Sequence, residues 1–190
     1  MSTKVEFFYD YISLYSYLAD SQVANLDGAE IVYRPMLLGA VMNATGNRAP
    51  GIVEAKEKHL HVDAERWATR YSMPLNWNPI FPQNTANALR LALVAEKNGV
   101  FEAVHQPLFN AMWVEEKDLG DDNVIAEIAA KVSITIDDIR DSAIKEEIRA
   151  NTSEAVERGA FGAPTFFIGD EMFFGNDRFD FIRETIKNRG

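Results

Sequence analysis

The stretch F-Y-D-Y-I-S-L-Y-S-Y-L, residues 8–18, decides how this chain is read. Residues 4–10 alternate, with Val5, Phe7 and Tyr9 on one side and Glu6, Phe8 and Asp10 on the other. A period of two carried by aromatic residues is the pattern of a strand. Downstream, Ser16-Tyr-Leu-Ala-Asp-Ser-Gln-Val-Ala runs on as a helix, and Ser13 stands where a cap is needed. The stretch is therefore a strand handing over to a helix, with Ser13 and Ser16 at the spacing of a C-x-x-C pair.

No cysteine occurs in the chain, which excludes a disulfide, a zinc–thiolate site and a cysteine nucleophile. Redox turnover by the chain's own thiols is excluded with them. The 190 residues, 47% of them apolar, suffice for one domain or one domain with a large insertion. Lys and Arg number 19 and Asp and Glu 29, so the net charge of −10 argues against non-specific nucleic-acid binding and a polybasic membrane patch. No signal peptide or membrane span is visible, and a cytoplasmic protein is expected.

Working outward, Glu30-Ile-Val-Tyr-Arg-Pro is a second strand stopped by Pro35, so the first 40 residues read β-α-β. The middle is helical. One helix follows Asn84-Thr85 and closes at Asn98-Gly99, a second spans 100–114, and others span 122–132, 137–149 and 152–159. Nothing from about 45 to 157 reads as a strand. Strands return at Thr165–Gly175, two apolar runs around Gly169-Asp170-Glu171, and an amphipathic helix closes the chain from Asp177 to Asn188. The layout predicts an α/β, thioredoxin-like fold (β-α-β plus β-β-α) formed by residues 1–44 and 158–190, with an all-helical insertion at 45–157.

Three places in this layout bear on chemistry. The first turn of a helix presents unpaired N–H groups and the positive end of its dipole, so an anion is stabilised beside Ser13. A thiolate brought by a ligand fits there, and the Ser13 hydroxyl can donate to it; the same serine also reads as a plain N-cap. Pro164, ahead of a strand, is cis in such a fold and frees the backbone of Ala163 for an extended peptide; it also reads as an ordinary strand-entry proline. Gly175-Asn176-Asp177-Arg178 opens the last helix, with Asn or Asp as its cap, and Asp177 can hold an ammonium. His59 and His61 lie two apart without a third ligand, so no metal site is expected, and His105 reads as partly buried or on the surface.

Three stretches together resemble a known family: F-Y-D-Y-I-S-x-Y-S-Y-L-A at the start, F-P-x-N-T at 81–85, and F-G-A-P-T-F-F-I-G-D-E-M-F-F-G-N-D-R at 161–178. The chain resembles 2-hydroxychromene-2-carboxylate isomerases and the similar kappa-class glutathione transferases, both DsbA-like thioredoxin folds, over essentially all its length. The resemblance implies glutathione as cofactor. Ser13 then faces its sulfur, Ala163 beside Pro164 pairs with its cysteinyl part, and Asn176 and Asp177 hold its γ-glutamyl end. Asn47 is a polar site residue, Lys56 meets the glycyl carboxylate or the substrate, and Asn84 belongs to the same site. Leu14 departs from the family, which has proline there; leucine adds an N–H at the first helical position.

The reaction so implied interconverts 2-hydroxychromene-2-carboxylate and trans-o-hydroxybenzylidenepyruvate in the degradation of aromatic compounds. The glutathione thiolate adds to a conjugated C=C bond, rotation follows, and the thiolate leaves. For this small aromatic carboxylate, Tyr11, Trp77 and Phe81 are expected as pocket walls and Lys56 or Asn47 as clamps. A homodimer is usual in the resembled family. Two other readings stay open here: a transferase that keeps the thioether product, and a non-catalytic peptide or thiol binder.

Overall fold

In the computed structural model, residues 2–189 are described; Met1 and Gly190, the outermost residues of the two expected segments, lie outside them. Four strands, β1 (Thr3–Tyr9), β2 (Ala29–Pro35), β3 (Thr165–Ile168) and β4 (Glu171–Phe174), form one sheet in the order β2-β1-β3-β4. β1 runs parallel to β2 and antiparallel to β3, and β3 and β4 form the expected hairpin. The first pair is joined by α1 (Leu14–Val23), and α9 (Phe179–Arg189) closes the chain.

This register positions the site. Phe8 lies opposite Thr165, so the chain leaving β1 toward Ser13 and the chain entering β3 from Ala163 and Pro164 emerge at the same end of the sheet. Tyr9 pairs with Pro35, which puts the exit of β2 there too. From that exit α2 (Leu38–Thr45) departs.

β1 is buried on both faces, which is why its alternation is aromatic rather than apolar and polar. Val5, Phe7 and Tyr9 join one core with α1, α9 and the inserted helices. Phe7 stacks on Phe166 at 4.7 Å. On the opposite face Phe8 packs with Met36, Val41, Ala155 and Phe167. Each such fully buried side chain contributes about 1.5–3 kcal/mol.

The inserted block comprises a 3₁₀ turn at Pro50–Ile52, α3 (Glu54–Tyr71), α4 (Ala86–Lys97), α5 (Glu102–Trp113), α6 (Asp122–Ala130), α7 (Ile136–Arg140) and α8 (Ser142–Glu157). Two sequence readings are corrected. The helices expected at 137–149 and 152–159 are the short α7 and one long α8; Asn151 does not interrupt α8 because its amide donates to Pro35 O at 3.2 Å, anchoring that turn to the end of β2. The last helix starts at Phe179, not Asp177, so Asn176 and Asp177 belong to the turn that precedes it. α3 packs on the core through a thin stripe, Leu60, Ala64, Trp67, Ala68 and Tyr71, of which only Ala64 and Ala68 are buried. Among the described residues no helix is long and apolar enough to cross a membrane, and no three His, Cys, Asp or Glu side chains cluster as metal ligands.

Candidate functional site

Ser13 is the N-cap of α1. Its Oγ accepts from Ser16 N at 3.1 Å and donates to Ala163 O at 3.0 Å, 150 positions away. The sheet register allows that contact, since the chain leaves β1 toward Ser13 at the end of the sheet where Ala163 leads into β3. One hydroxyl thus ties the start of α1 to the carbonyl preceding Pro164, and the Ala163–Pro164 bond is cis. Ser13 is 7% exposed, so only a small face of it meets solvent. To donate to an incoming sulfur anion the hydroxyl must rotate its proton away from Ala163 O. Ser16 is fully buried with its own hydroxyl unpartnered, which suits a structural place under the helix.

Beneath Ser13 lies a carboxylate that the sequence did not mark. Asp10 accepts from Ile12 N at 3.2 Å, from Leu38 N at 2.9 Å and from the Thr85 hydroxyl at 2.6 Å. It gathers the chain entering α1, the first residue of α2 and the cap position of α4 onto one side chain. Burial raises its pKa, and the hydrogen bonds from Thr85, Leu38 and Ile12 oppose that rise. In the F-P-x-N-T stretch it is Thr85, rather than Asn84, that reaches the floor of the site. Asn84 is exposed and its Oδ1 accepts from Ala86 N, a local turn at the head of α4. The stretch also contains a second cis bond, Phe81–Pro82.

The Ala163–Pro164 segment is bordered by Asn47 on one side and by the Gly175 turn on the other. Asn47, exposed, donates to Phe161 O at 2.7 Å and so sits against the loop leading to Ala163. Gly175 N donates to Pro164 O at 3.0 Å, carrying the chain from the cis proline straight to Asn176 and Asp177. Gly175 has a φ of +108°, and the Asp177 carboxylate folds back over it: a Cβ there would stand 2.7 Å from Asp177 Oδ1. Asn176 is 4% exposed with no partner for its Nδ2, and its carbonyl accepts from the Tyr71 hydroxyl at 2.9 Å. Both residues line a cavity of about 290 Å³ between the end of α3 and the start of α9.

Tyr15, in the first turn of α1, is a further residue the sequence reading passed over. Its hydroxyl donates to Asp63 of α3 at 2.8 Å. Burial first, then Asp63 and the charge of Asp177, push its pKa well up.

The expected substrate walls divide. Tyr11 is not a wall: it is fully buried, 2.9 Å from His105 Nδ1 and packed on Phe109. His105 is itself fully buried, against the expectation for it, because Asp20 on α1 stands 3.0 Å from its Nε2 and five aromatic rings surround it. Trp77 and Phe81 each lie beside Trp113, whose indole N–H donates to Tyr11 O at 2.9 Å. Phe81 is 56% exposed, and half-buried Trp77 lies against His61 with its indole N–H unpartnered. Lys56 is exposed on the first turn of α3 and forms no ion pair among the described residues, whereas its neighbour Lys58 is paired with Glu54.

Along its length the chain is similar to known proteins. Residues 4–187 match the model of the DsbA-like thioredoxin domain. A protein of Sphingobium xenophagum named 2-hydroxychromene-2-carboxylate isomerase is 34% identical, covering 98% of this chain and 99% of its own. A Caenorhabditis elegans protein named glutathione S-transferase kappa 1 is 27% identical over 97% of this chain and 91% of its own. A solved structure of 2-hydroxychromene-2-carboxylate isomerase superposes with a TM-score of 0.87 at 28% identity, covering 98% of this chain and 95% of that one.

Proposed function

From the premise that this chain belongs to the DsbA-like thioredoxin family and, within it, to the isomerases of 2-hydroxychromene-2-carboxylate, we propose a glutathione-dependent cis-trans isomerase that interconverts that compound with trans-o-hydroxybenzylidenepyruvate. The observation that carries the reading is Ser13 at the cap of α1, hydrogen-bonded to the carbonyl before a cis proline, in a chain without cysteine. Such a site is built around a sulfur anion that the protein does not own.

The residues fit the tripeptide. An orphaned amide on Asn176, the Asp177 carboxylate beside it and the cavity they line suit the free amino-acid end of glutathione. Bound there, glutathione supplies a thiolate that adds reversibly to the conjugated double bond, which as a single bond can rotate. The start of α1 and the Ser13 hydroxyl hold the sulfur ionised, easing both attack and departure. A shift of one pKa unit in the thiol changes the thiolate fraction at neutral pH up to about ten-fold. The N–H of Ala163, which has no acceptor among the described residues, is free to pair with the cysteinyl carbonyl. Trp77 and Phe81 offer aromatic faces for a planar substrate on the side of Trp113, and Asn47 and Lys56 offer donors for its carboxylate.

The test is spectrophotometric. Protein, glutathione and trans-o-hydroxybenzylidenepyruvate are mixed and the chromophore is followed to equilibrium. Catalysis only with glutathione, and lost in Ser13→Ala, supports the reading. A stable adduct with a generic electrophile and no isomerisation replaces it with a transferase.

A further inference from the structure

The cavity between α3 and α9 contains a cation that neither the sequence motifs nor the turn at Asn176 accounts for. Arg70, in the last turn of α3, lines it. Its guanidinium lies over the Trp67 ring, 5.5 Å from the centroid, and forms no ion pair among the described residues. The other guanidinium of the cavity, on Arg183, is committed to Asp180 at 3.1 Å. The opposite wall is formed by Asn176, 4% exposed with its Nδ2 buried and unpartnered, and by the Asp177 carboxylate, which the Arg178 guanidinium approaches at 3.5 Å. The two walls are bolted together by the Tyr71 hydroxyl on Asn176 O. A donor fork faces an orphaned amide and a carboxylate across about 290 Å³. That set complements an α-amino acid head, with the fork and amide on its α-carboxylate and Asp177 on its ammonium.

We infer that Arg70 is the specificity residue for the α-carboxylate of the γ-glutamyl group, so that the inserted helical segment reads the end of glutathione farthest from its sulfur. This rests on the glutathione reading above. A γ-linked glutamate leaves both charged groups free at that end, which an ordinary α-linked or acylated terminus does not, so the cavity selects glutathione over such peptides. Arg70 also suits the dipole at the end of α3, and a purely structural role there does not depend on which ligand is offered.

The experiment is calorimetric titration of the whole chain with three peptides: glutathione, 4-aminobutyryl-Cys-Gly, which lacks only the α-carboxylate, and glutaryl-Cys-Gly, which lacks only the amine. Arg70→Gln is expected to weaken glutathione and glutaryl-Cys-Gly by about ten-fold each and to leave 4-aminobutyryl-Cys-Gly unchanged. Arg70→Lys, which keeps the charge without the fork, is expected to show the same selectivity with a smaller loss. Equal losses for all three peptides, or no loss for glutathione, overturn the assignment. Failure of the unaltered protein to bind glutathione instead brings down the cofactor reading on which the assignment stands.

Discussion

Two regions flank Ser13, and they are built differently. On the inner side, Asp10, Tyr11, Asp20, His105 and Trp113 are buried and hydrogen-bonded to partners far away in the chain. On the outer side, Asn47, Lys56, Arg70 and Phe81 are exposed, and Asn176 and Trp77 have donors without acceptors. Protein interiors satisfy their polar groups, because an unpaired buried donor costs about 1–3 kcal/mol. Ser16 on the inner side is also unpartnered, so the contrast rests on long-range hydrogen bonding: the inner residues hold the site's shape, and under the proposed function the outer ones meet the ligand. Substitutions inside should be read in stability and substitutions outside in binding.

The largest expected effect is on the inside. His105→Leu strips the Tyr11 hydroxyl and one Asp20 oxygen of their shared partner, at about 1–3 kcal/mol for each orphaned group. Urea denaturation should show the loss, and Asp20→Leu added to His105→Leu should recover part of it. A single variant as stable as the parent would mean that the inner network is not what fixes the Ser13 loop.

Ser13→Ala comes next and crosses the boundary. Loss of the cap costs about 0.5–2 kcal/mol of stability, while the glutathione-dependent rate at neutral pH should fall about ten-fold or more, because the bound thiol returns toward its ordinary value. A rate that falls no further than the folded fraction does would move Ser13 wholly to the structural side.

Asp10→Asn should cost about 1–3 kcal/mol. The new amide presents a donor where the carboxylate accepts from Leu38 N or Thr85, so one of the three hydrogen bonds is lost. Here the measurement is the denaturation midpoint of Asp10→Asn against Thr85→Val, which removes one hydrogen bond without opposing two donors and should lose less.

A smaller effect is set by pH. Glu6 on β1 is partly desolvated, which raises its pKa, but hydrogen bonds and charge from Arg158 and Lys4 outweigh this and hold the carboxyl below its ordinary value. Its folded-state pKa lies below the unfolded one, so its contribution is complete above the unfolded value and is lost as pH falls through the folded value. Asp10 has the opposite sign: its raised pKa means that its cost grows as pH rises through that value. Denaturation midpoints at neutral pH and near pH 3 should therefore fall more steeply for the parent than for Glu6→Gln.

What could be foreseen follows the same division. Ser13, Pro164 and the two β-rich ends were legible because each depends on neighbours in sequence: alternation, a cap, a proline at a strand start. Asp10 was visible only as the last residue of an alternating run. Its value comes from Leu38 and Thr85, which approach it only once α2 and α4 are packed. Tyr11 was misplaced as a wall because an aromatic residue beside a reactive turn looks the same in sequence whether it faces a ligand or His105. Arg70 was hidden because the cavity it lines exists only once the end of α3 is packed on the Asn176 turn, through the Tyr71 hydroxyl on Asn176 O, and nothing near Arg70 in sequence signals that approach.

The central claim is that the start of α1 and the Ser13 hydroxyl stabilise a sulfur anion belonging to the ligand. Ultraviolet titration of the protein–glutathione complex near 240 nm, where thiolates absorb, tests this directly. The account predicts a bound thiol that ionises below its ordinary value of about 8.5, with the shift reduced in Ser13→Ala. A bound thiol that titrates as it does in free solution, or one whose titration Ser13→Ala leaves unmoved, would contradict it.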